Sequence, residues 1–357
     1  MINQKSNGYI IKNKYYKVKL LTFIALPVLL LSLLLMNKDK TESAREKQKG
    51  VCWVGTPQPV VQQDLDKLKS VGVNWISQTP FGWQQQTNDT TLLFEKRTQR
   101  KPWWGESYEG IATTTKLART FGIKTILKPH IWVRQSWPGE IEMTSEEAWK
   151  SWFKQYNDFI ISYAQLAQQE QIEILCIGTE LQKTIHRPEW FEIIKNVKTV
   201  YHGKLTYAAN FNEFDRVPFW KELDYIGIQG YFPLTKNAHP TVAEIAQGWE
   251  QPLKQMEALH KKIRKPVIFT ELGYKSTDDA TIEPWIWPGN EHQEKISEET
   301  QANAYEAFFK ECWGESWIEG VYFWKWYPQG ARRNAAIDFT PQGKPAEAVM
   351  KEWFSQQ

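Results

Sequence analysis

Cysteine is scarce in this chain. Three occur in 357 residues, Cys52, Cys176 and Cys312, and none stands at a metal-ligand spacing from another. Two fall in expected strands and one in an expected helix. Buried thiols are therefore the expected state, although spacing alone leaves a disulfide open. The six histidines (His130, His186, His202, His239, His260 and His292) form neither an HExxH pattern nor a paired spacing. No catalytic metal and no cofactor is expected. No G-x-S-x-G turn occurs, which disfavours a nucleophilic serine. No glycine fingerprint follows the first expected strand, which disfavours nucleotide binding and a doubly wound sheet. Positive charge is also short once it is placed along the chain. Of 44 Lys and Arg and 41 Asp and Glu, residues 1–49 hold ten and three, leaving 34 and 38 for residues 50–357. The net +3 belongs to the N-terminal segment, and the body of the chain offers no electrostatic footprint for nucleic acid.

Uncharged apolar sequence is concentrated in one place, residues 20–36. Lys12, Lys14, Lys17 and Lys19 precede it, and Asn37-Lys38-Asp39-Lys40 follows without a small-x-small cleavage site or a nearby cysteine. Seventeen residues is short for a span but long for a signal-peptide core. The expectation is a basic cytoplasmic tail over 1–19, a transmembrane signal anchor over 20–36 and a charged linker over 37–49. The domain at 50–357 would then lie outside the cytoplasm, periplasmic or extracellular. A cleaved signal peptide is the alternative.

Tryptophan is abundant, with 19 residues. Core packing accounts for most of such a number, and flat indole faces near strand ends also suit stacking on sugar rings. From residue 50 onward strands and helices alternate with no Pro/Gly/Ser-rich break. Strands are expected at 51–55, 73–77, 124–129, 172–180, 205–209, 224–229, 266–273 and 321–324, and helices at 60–70, 111–121, 145–170, 189–201, 242–263, 301–313 and 345–354. The helix at 145–170 is the clearest. Trp149, Trp152, Phe153, Tyr156, Phe159, Ile160, Tyr163 and Leu166 recur at three- and four-residue steps, with Thr144 and Glu147 read as its capping box. Residues 81–106 read as a long polar loop rich in Trp. Eight strands alternating with helices over about 300 residues point to an α/β fold, a (β/α)8 TIM barrel.

Two of these strands end on a glutamate. Ile172 to Gly178 leads to Thr179-Glu180, and Pro266 to Thr270 leads to Glu271. A carboxylate at the exit of a buried strand is costly unless pairing or chemistry retains it. In a parallel barrel the strand C-termini form the active face. Glycoside hydrolysis uses two such groups, one protonated to donate to the leaving oxygen and one ionised; retaining enzymes hold them about 5–5.5 Å apart. His130 and Trp132, after the third strand, are candidate sugar contacts. Trp53, inside the first strand, reads as core.

The chain resembles clan A of the glycoside hydrolases, and within it family 113, the mannanase-type barrels. The resemblance rests on Lys128-Pro129-His130-Ile131-Trp132, Ile177-Gly178-Thr179-Glu180-Leu181, Gln229-Gly230-Tyr231-Phe232-Pro233, Phe269-Thr270-Glu271-Leu272-Gly273-Tyr274 and Tyr322-Phe323-Trp324-Lys325-Trp326. It covers about residues 50–355. It implies Glu180 as acid/base, Glu271 as nucleophile, Tyr231 as the nucleophile's hydrogen-bond partner and Trp324 as the floor of the sugar subsite at the cleavage point. Much of the clan has Asn before the acid/base, where it binds the sugar 2-hydroxyl; this chain has Thr179. Asn210 is the candidate for that contact, with turn formation as its other reading. The implied activity is retaining cleavage of a β-linked polysaccharide or oligosaccharide, an endo-β-1,4-mannanase. The alternatives are another clan A β-glycosidase or glucanase, and an inert sugar-binding barrel.

Overall fold

The first strand begins at Gln48, three residues ahead of expectation, so Gln48 and Lys49 belong to a strand rather than to a linker. The computed structural model describes residues 46–98, 101–287, 295–329 and 335–356. Ten strands lie among them: β1 (Gln48–Trp53), β2 (Trp75–Gln78), β3 (Phe81–Gln84), β4 (Lys124–Leu127), β5 (His130–Val133), β6 (Ile174–Thr179), β7 (Lys204–Asn210), β8 (Ile226–Gln229), β9 (Val267–Leu272) and β10 (Ile318–Trp326). Eight close into a parallel barrel in the order β1-β2-β4-β6-β7-β8-β9-β10, with β10 pairing back to β1. The helices are α1 (Gln62–Ser70), α2 (Tyr108–Thr120), α3 (Glu146–Gln169), α4 (Glu189–Val200), α5 (Val242–Ile263), α6 (Glu298–Cys312) and α7 (Pro345–Ser355).

Strand alternation explains why the sequence closes this way. Along β1, Cys52 joins a cluster inside the barrel with Trp75, Ile126, Ile174, Cys176, Ala208, Ile268 and Tyr322, while Val51 and Trp53 join the layer under the helices. Successive side chains thus face opposite sides, and both sides are buried. All three cysteines are buried and free. Trp152, Trp190, Trp220 and Trp249 are almost wholly enclosed, the core role that most tryptophans were expected to take.

Two local differences from expectation have physical causes. The segment 81–106 is not only a loop, because β3 pairs in parallel with β5, Phe81 opposite His130 and Trp83 opposite Trp132. Each continues a barrel strand beyond a break at a proline, Pro80 or Pro129, which cannot donate to a ladder. Lys128 N donates to Gln78 O (2.8 Å) and His130 N to Pro80 O (2.8 Å), so the two strands stay in step across the break. Between β7 and β8, where the sequence marked no helix, the described chain has only a 3-10 turn at Trp220–Glu222, and buried Phe219 and Trp220 pack there against Tyr207. The cap of α3 is Ser145, whose hydroxyl accepts from Ala148 N (3.2 Å), one residue after the expected Thr144.

Among the described residues no helix is long and apolar enough to cross a membrane. The anchor expected at 20–36 lies outside the described residues, as do the tail at 1–19 and most of the linker.

Candidate active site

All seven side chains singled out in the sequence, His130, Trp132, Glu180, Asn210, Tyr231, Glu271 and Trp324, line one cleft of about 670 Å³. Strand register brings several of them to the rim. Asn210, the last residue of β7, pairs with Gln229 at the end of β8, and Gln229 pairs with Glu271 in β9. A second hollow of about 780 Å³, lined by Gln86, Arg134, Glu142 and Lys183 among others, contains neither glutamate.

Glu271 sits one residue before the end of β9 and is 4 % exposed. Its Oε1 is ion-paired with Lys128 Nζ, a wholly buried ammonium in the break between β4 and β5. Burial alone would lower the pKa of Lys128; the adjacent carboxylate outweighs that and holds it above the ordinary 10.5. Tyr231 OH donates to Glu271 Oε2 at 2.8 Å. Burial first, and then the charge of Glu271, push the phenol well above its ordinary 10, so it remains a donor. One cation and one neutral donor thus hold the two carboxylate oxygens of Glu271.

His130 Nε2 lies 3.6 Å from Glu271 Oε1, beyond hydrogen-bond reach, and has no hydrogen-bond partner among the described residues. Burial, and next the charge of Lys128, push this imidazole well below its ordinary 6.5, so the ring is neutral. It packs on Phe81 (centroids 5.3 Å apart) and stacks on Trp324 (6.4 Å, 27° between planes).

Glu180 follows the last residue of β6. Gly178 makes the approach possible, because a Cβ there would lie 2.8 Å from the rings of Trp190 and Tyr207. Glu180 has a left-handed backbone (φ 55°), while its N–H still donates to Ala208 O in β7 (2.9 Å). The strand therefore stays paired while the side chain turns into the cleft. Burial and then the charge of Glu271 push its carboxyl from 4.5 up to about 7, against the pull of Trp137. Trp137 Nε1 donates to Glu180 Oε2 at 3.1 Å. The two carboxyls thus sit in unequal environments, Glu271 between a cation and a hydroxyl donor, and Glu180 pushed up by burial and a neighbouring charge.

Thr179 is not part of the cleft lining. It is buried, and its hydroxyl donates to Pro129 O at 3.3 Å. Asn210 lines the cleft, with its Nδ2 donating to Asn212 Oδ1 (3.2 Å). Behind it lies Glu213, wholly buried, whose Oε1 accepts from Asn210 N (2.9 Å) and whose Oε2 has no partner among the described residues. Burial is the main cause that pushes Glu213 up to about 7; Asn210 N opposes it and the charge of Glu180 adds to it.

Sequence reasoning left several of these groups out. Lys128 lay inside a quoted motif, yet a lysine at a strand end is ordinarily solvated. Trp137, Trp285 and Trp287 come from loops, where no periodicity marks them. Trp285 stacks on Phe211 (5.1 Å, 21°), and Trp132, Trp285 and Trp287 are 58 %, 41 % and 54 % exposed at the cleft. An excess of indoles in polar loops was the one available signal.

The chain is similar to known proteins of one family. The model of glycoside hydrolase family 113 matches residues 55–344. Among solved structures, the GH113 β-mannanase AaManA from Alicyclobacillus acidocaldarius, in complex with ManMIm, is 26% identical; the match covers 87% of this chain and 97% of that one, with a TM-score of 0.75. A second GH113 β-1,4-mannanase, 24% identical, matches over 87% of this chain and 100% of that one with a TM-score of 0.75, and supports the fold alone. The β-glucuronidase of Ruminococcus gnavus, 15% identical, shares the fold over 87% of this chain and 50% of its own length, with a TM-score of 0.58. A search of curated proteins gave no match. The family model spans most of the barrel, and both strand-end glutamates fall within the span it matches: the chain belongs to glycoside hydrolase family 113 and is a glycoside hydrolase.

Proposed function

We propose that the protein is a retaining endo-β-1,4-mannanase, with Glu180 as acid/base and Glu271 as nucleophile. The carrying observation is the unequal environment of the two carboxyls: Lys128 and Tyr231 on Glu271, burial and a neighbouring negative charge on Glu180. The 26% identical relative, described as a β-mannanase, supports the choice of sugar.

In the first step the Glu180 proton passes to the glycosidic oxygen, while a Glu271 carboxylate oxygen attacks the anomeric carbon. The bond to the leaving sugar breaks with its electron pair staying on that oxygen, and a glycosyl ester on Glu271 forms. In the second step Glu180, now ionised, takes a proton from water. The water oxygen attacks the same carbon, and Glu271 departs as a carboxylate held by Lys128 and Tyr231. Trp324 is the floor under the sugar at the cleavage point. His130 Nε2 and Asn210 are the polar groups nearest to hand for its hydroxyls, and Trp132 is a stacking face further out. Thr179 is turned away, so the 2-hydroxyl contact falls to one of these.

A panel of β-linked polysaccharides with reducing-end detection tests the reading. Mannan and glucomannan release the most ends if it is right, and a preference for xylan or pure β-glucan contradicts the mannan assignment. We further propose that residues 20–36 anchor the enzyme with its barrel outside the cytoplasm; the lysines before that run support this orientation. Intact cells treated with protease should lose the activity, and a protected activity contradicts the placement.

A further inference from the structure

The catalytic cleft has an aromatic neighbour. Phe81 and Trp132 border the cleft, and they also border a separate hollow of about 270 Å³ completed by Trp83, Lys101, Pro102, Trp103 and Glu106. Trp132 is 58 % exposed and Trp103 49 %. Register places Trp83 directly opposite Trp132 in the β3–β5 pair, two residues beyond the Phe81–His130 pair. The extension therefore leads from the nucleophile's surroundings outward to this hollow.

Two half-exposed indoles around a hollow on the scale of one sugar residue need an occupant with a flat apolar face and a polar edge. A pyranose ring has that character, and Lys101 and Glu106 place polar side chains in the lining beside the indoles. The platform is also held in place. Gly105 N donates to Thr56 O (2.8 Å), and Glu106 N and Ser107 N donate to Trp103 O (3.0 and 3.2 Å). Continuity with the cleft across a shared wall fixes which occupant it takes.

We infer that this hollow is a further sugar subsite, remote from the scissile bond, for the chain bound at Glu180 and Glu271. The inference rests on the glycan-hydrolase reading above. A β-linked chain in the cleft crosses Trp132 and seats a distant residue against Trp103 and Trp83. The enzyme then favours substrates long enough to span both hollows.

The test measures kcat/KM for the full-length protein on β-1,4-manno-oligosaccharides of two to six units, with Trp103→Ala and Trp103→Tyr alongside. The wild type should gain with length until both hollows are filled. Trp103→Ala should cut the ratio of long to short substrates roughly 3- to 10-fold, the range an aromatic contact supplies, and Trp103→Tyr should restore most of it. An equal loss at every length, or an undiminished preference in Trp103→Ala, overturns the inference. Cleavage of an end-labelled hexasaccharide by the wild type gives a reading independent of any variant: one dominant cleavage position supports a registering subsite, and scattered positions overturn it. A wild type inactive on the whole series would overturn the proposed function and this inference with it, whereas an active wild type without length preference overturns this inference alone.

Discussion

Lys128 and Glu271 form an ion pair at the mouth of the barrel, the lysine wholly enclosed and the glutamate 4 % exposed. A buried pair of this kind is costly to desolvate, and isolated apolar replacements often do as well for stability. Together with the Tyr231 hydroxyl it fixes both carboxylate oxygens of Glu271 in place.

Lys128→Met leaves Glu271 buried without its cation. Breaking such a pair costs about 3–5 kcal/mol of stability. Turnover of the surviving folded fraction should fall by more than it does in Tyr231→Phe. That milder change removes one hydrogen bond to a charged group, worth about 1.5–3 kcal/mol. Urea unfolding and active-site-normalised kcat check both. A fully active Lys128→Met would show that the lysine serves packing alone.

Glu180 is pushed up to about 7, and in its proposed role as general acid it must hold a proton. Activity should therefore fall as pH rises through about 7. Glu180→Gln should lose about 10²–10⁴-fold and the alkaline limb with it, and the loss should shrink on aryl glycosides whose leaving group needs no proton. Equal losses on activated and natural substrates would speak against the assignment.

Glu213 carries a separate pH signature. Its folded pKa of about 7 lies above the ordinary 4.5, so between these values the folded state binds the proton that the unfolded state has released. The protonated form contributes stability fully below about pH 4.5, and that contribution is lost as pH rises through about 7. The shift corresponds to something on the order of 3 kcal/mol. Glu213→Gln cannot ionise, so its unfolding free energy should change less between pH 5 and pH 8 than that of the wild type. Parallel changes in the two proteins would place the titration elsewhere.

The start of β1 sets where the barrel can be cut. Lys47 Nζ donates to Glu315 O and Ile318 O, both at 2.8 Å, and Gln48 Oε1 accepts from Tyr322 OH at 2.7 Å. A protein beginning at Glu46 should match the full chain in Tm and kcat. One beginning at Gly50 loses these contacts and two strand residues, and should melt several degrees lower. Equal melting temperatures would mean that these contacts add nothing to the barrel.

Much of the barrel was readable because each strand is an apolar run with sharp ends, and both glutamates stood out by interrupting such a run. The extension β3–β5 was hidden, since Pro80 and Pro129 break the very runs that would have revealed it. Lys128 was opaque for another reason: its partner is 143 positions away, and nothing local distinguishes a buried lysine from a solvated one. Glu213 sits in a polar turn after Asn210, where sequence suggests exposure; only the closed rim around it makes it buried. Trp103, Trp137, Trp285 and Trp287 lie in irregular segments whose placement depends on tertiary contacts.

A glycosyl-enzyme intermediate at Glu271 would fix the configuration of the first product, and that configuration can be measured. Proton NMR during hydrolysis of a β-1,4-manno-oligosaccharide distinguishes the anomers before mutarotation mixes them. Retention through Glu271 predicts that the β-anomer appears first, with the α-anomer growing in later. An α-anomer formed first would mean inversion by direct attack of water, and would contradict the assignment of Glu271 as nucleophile.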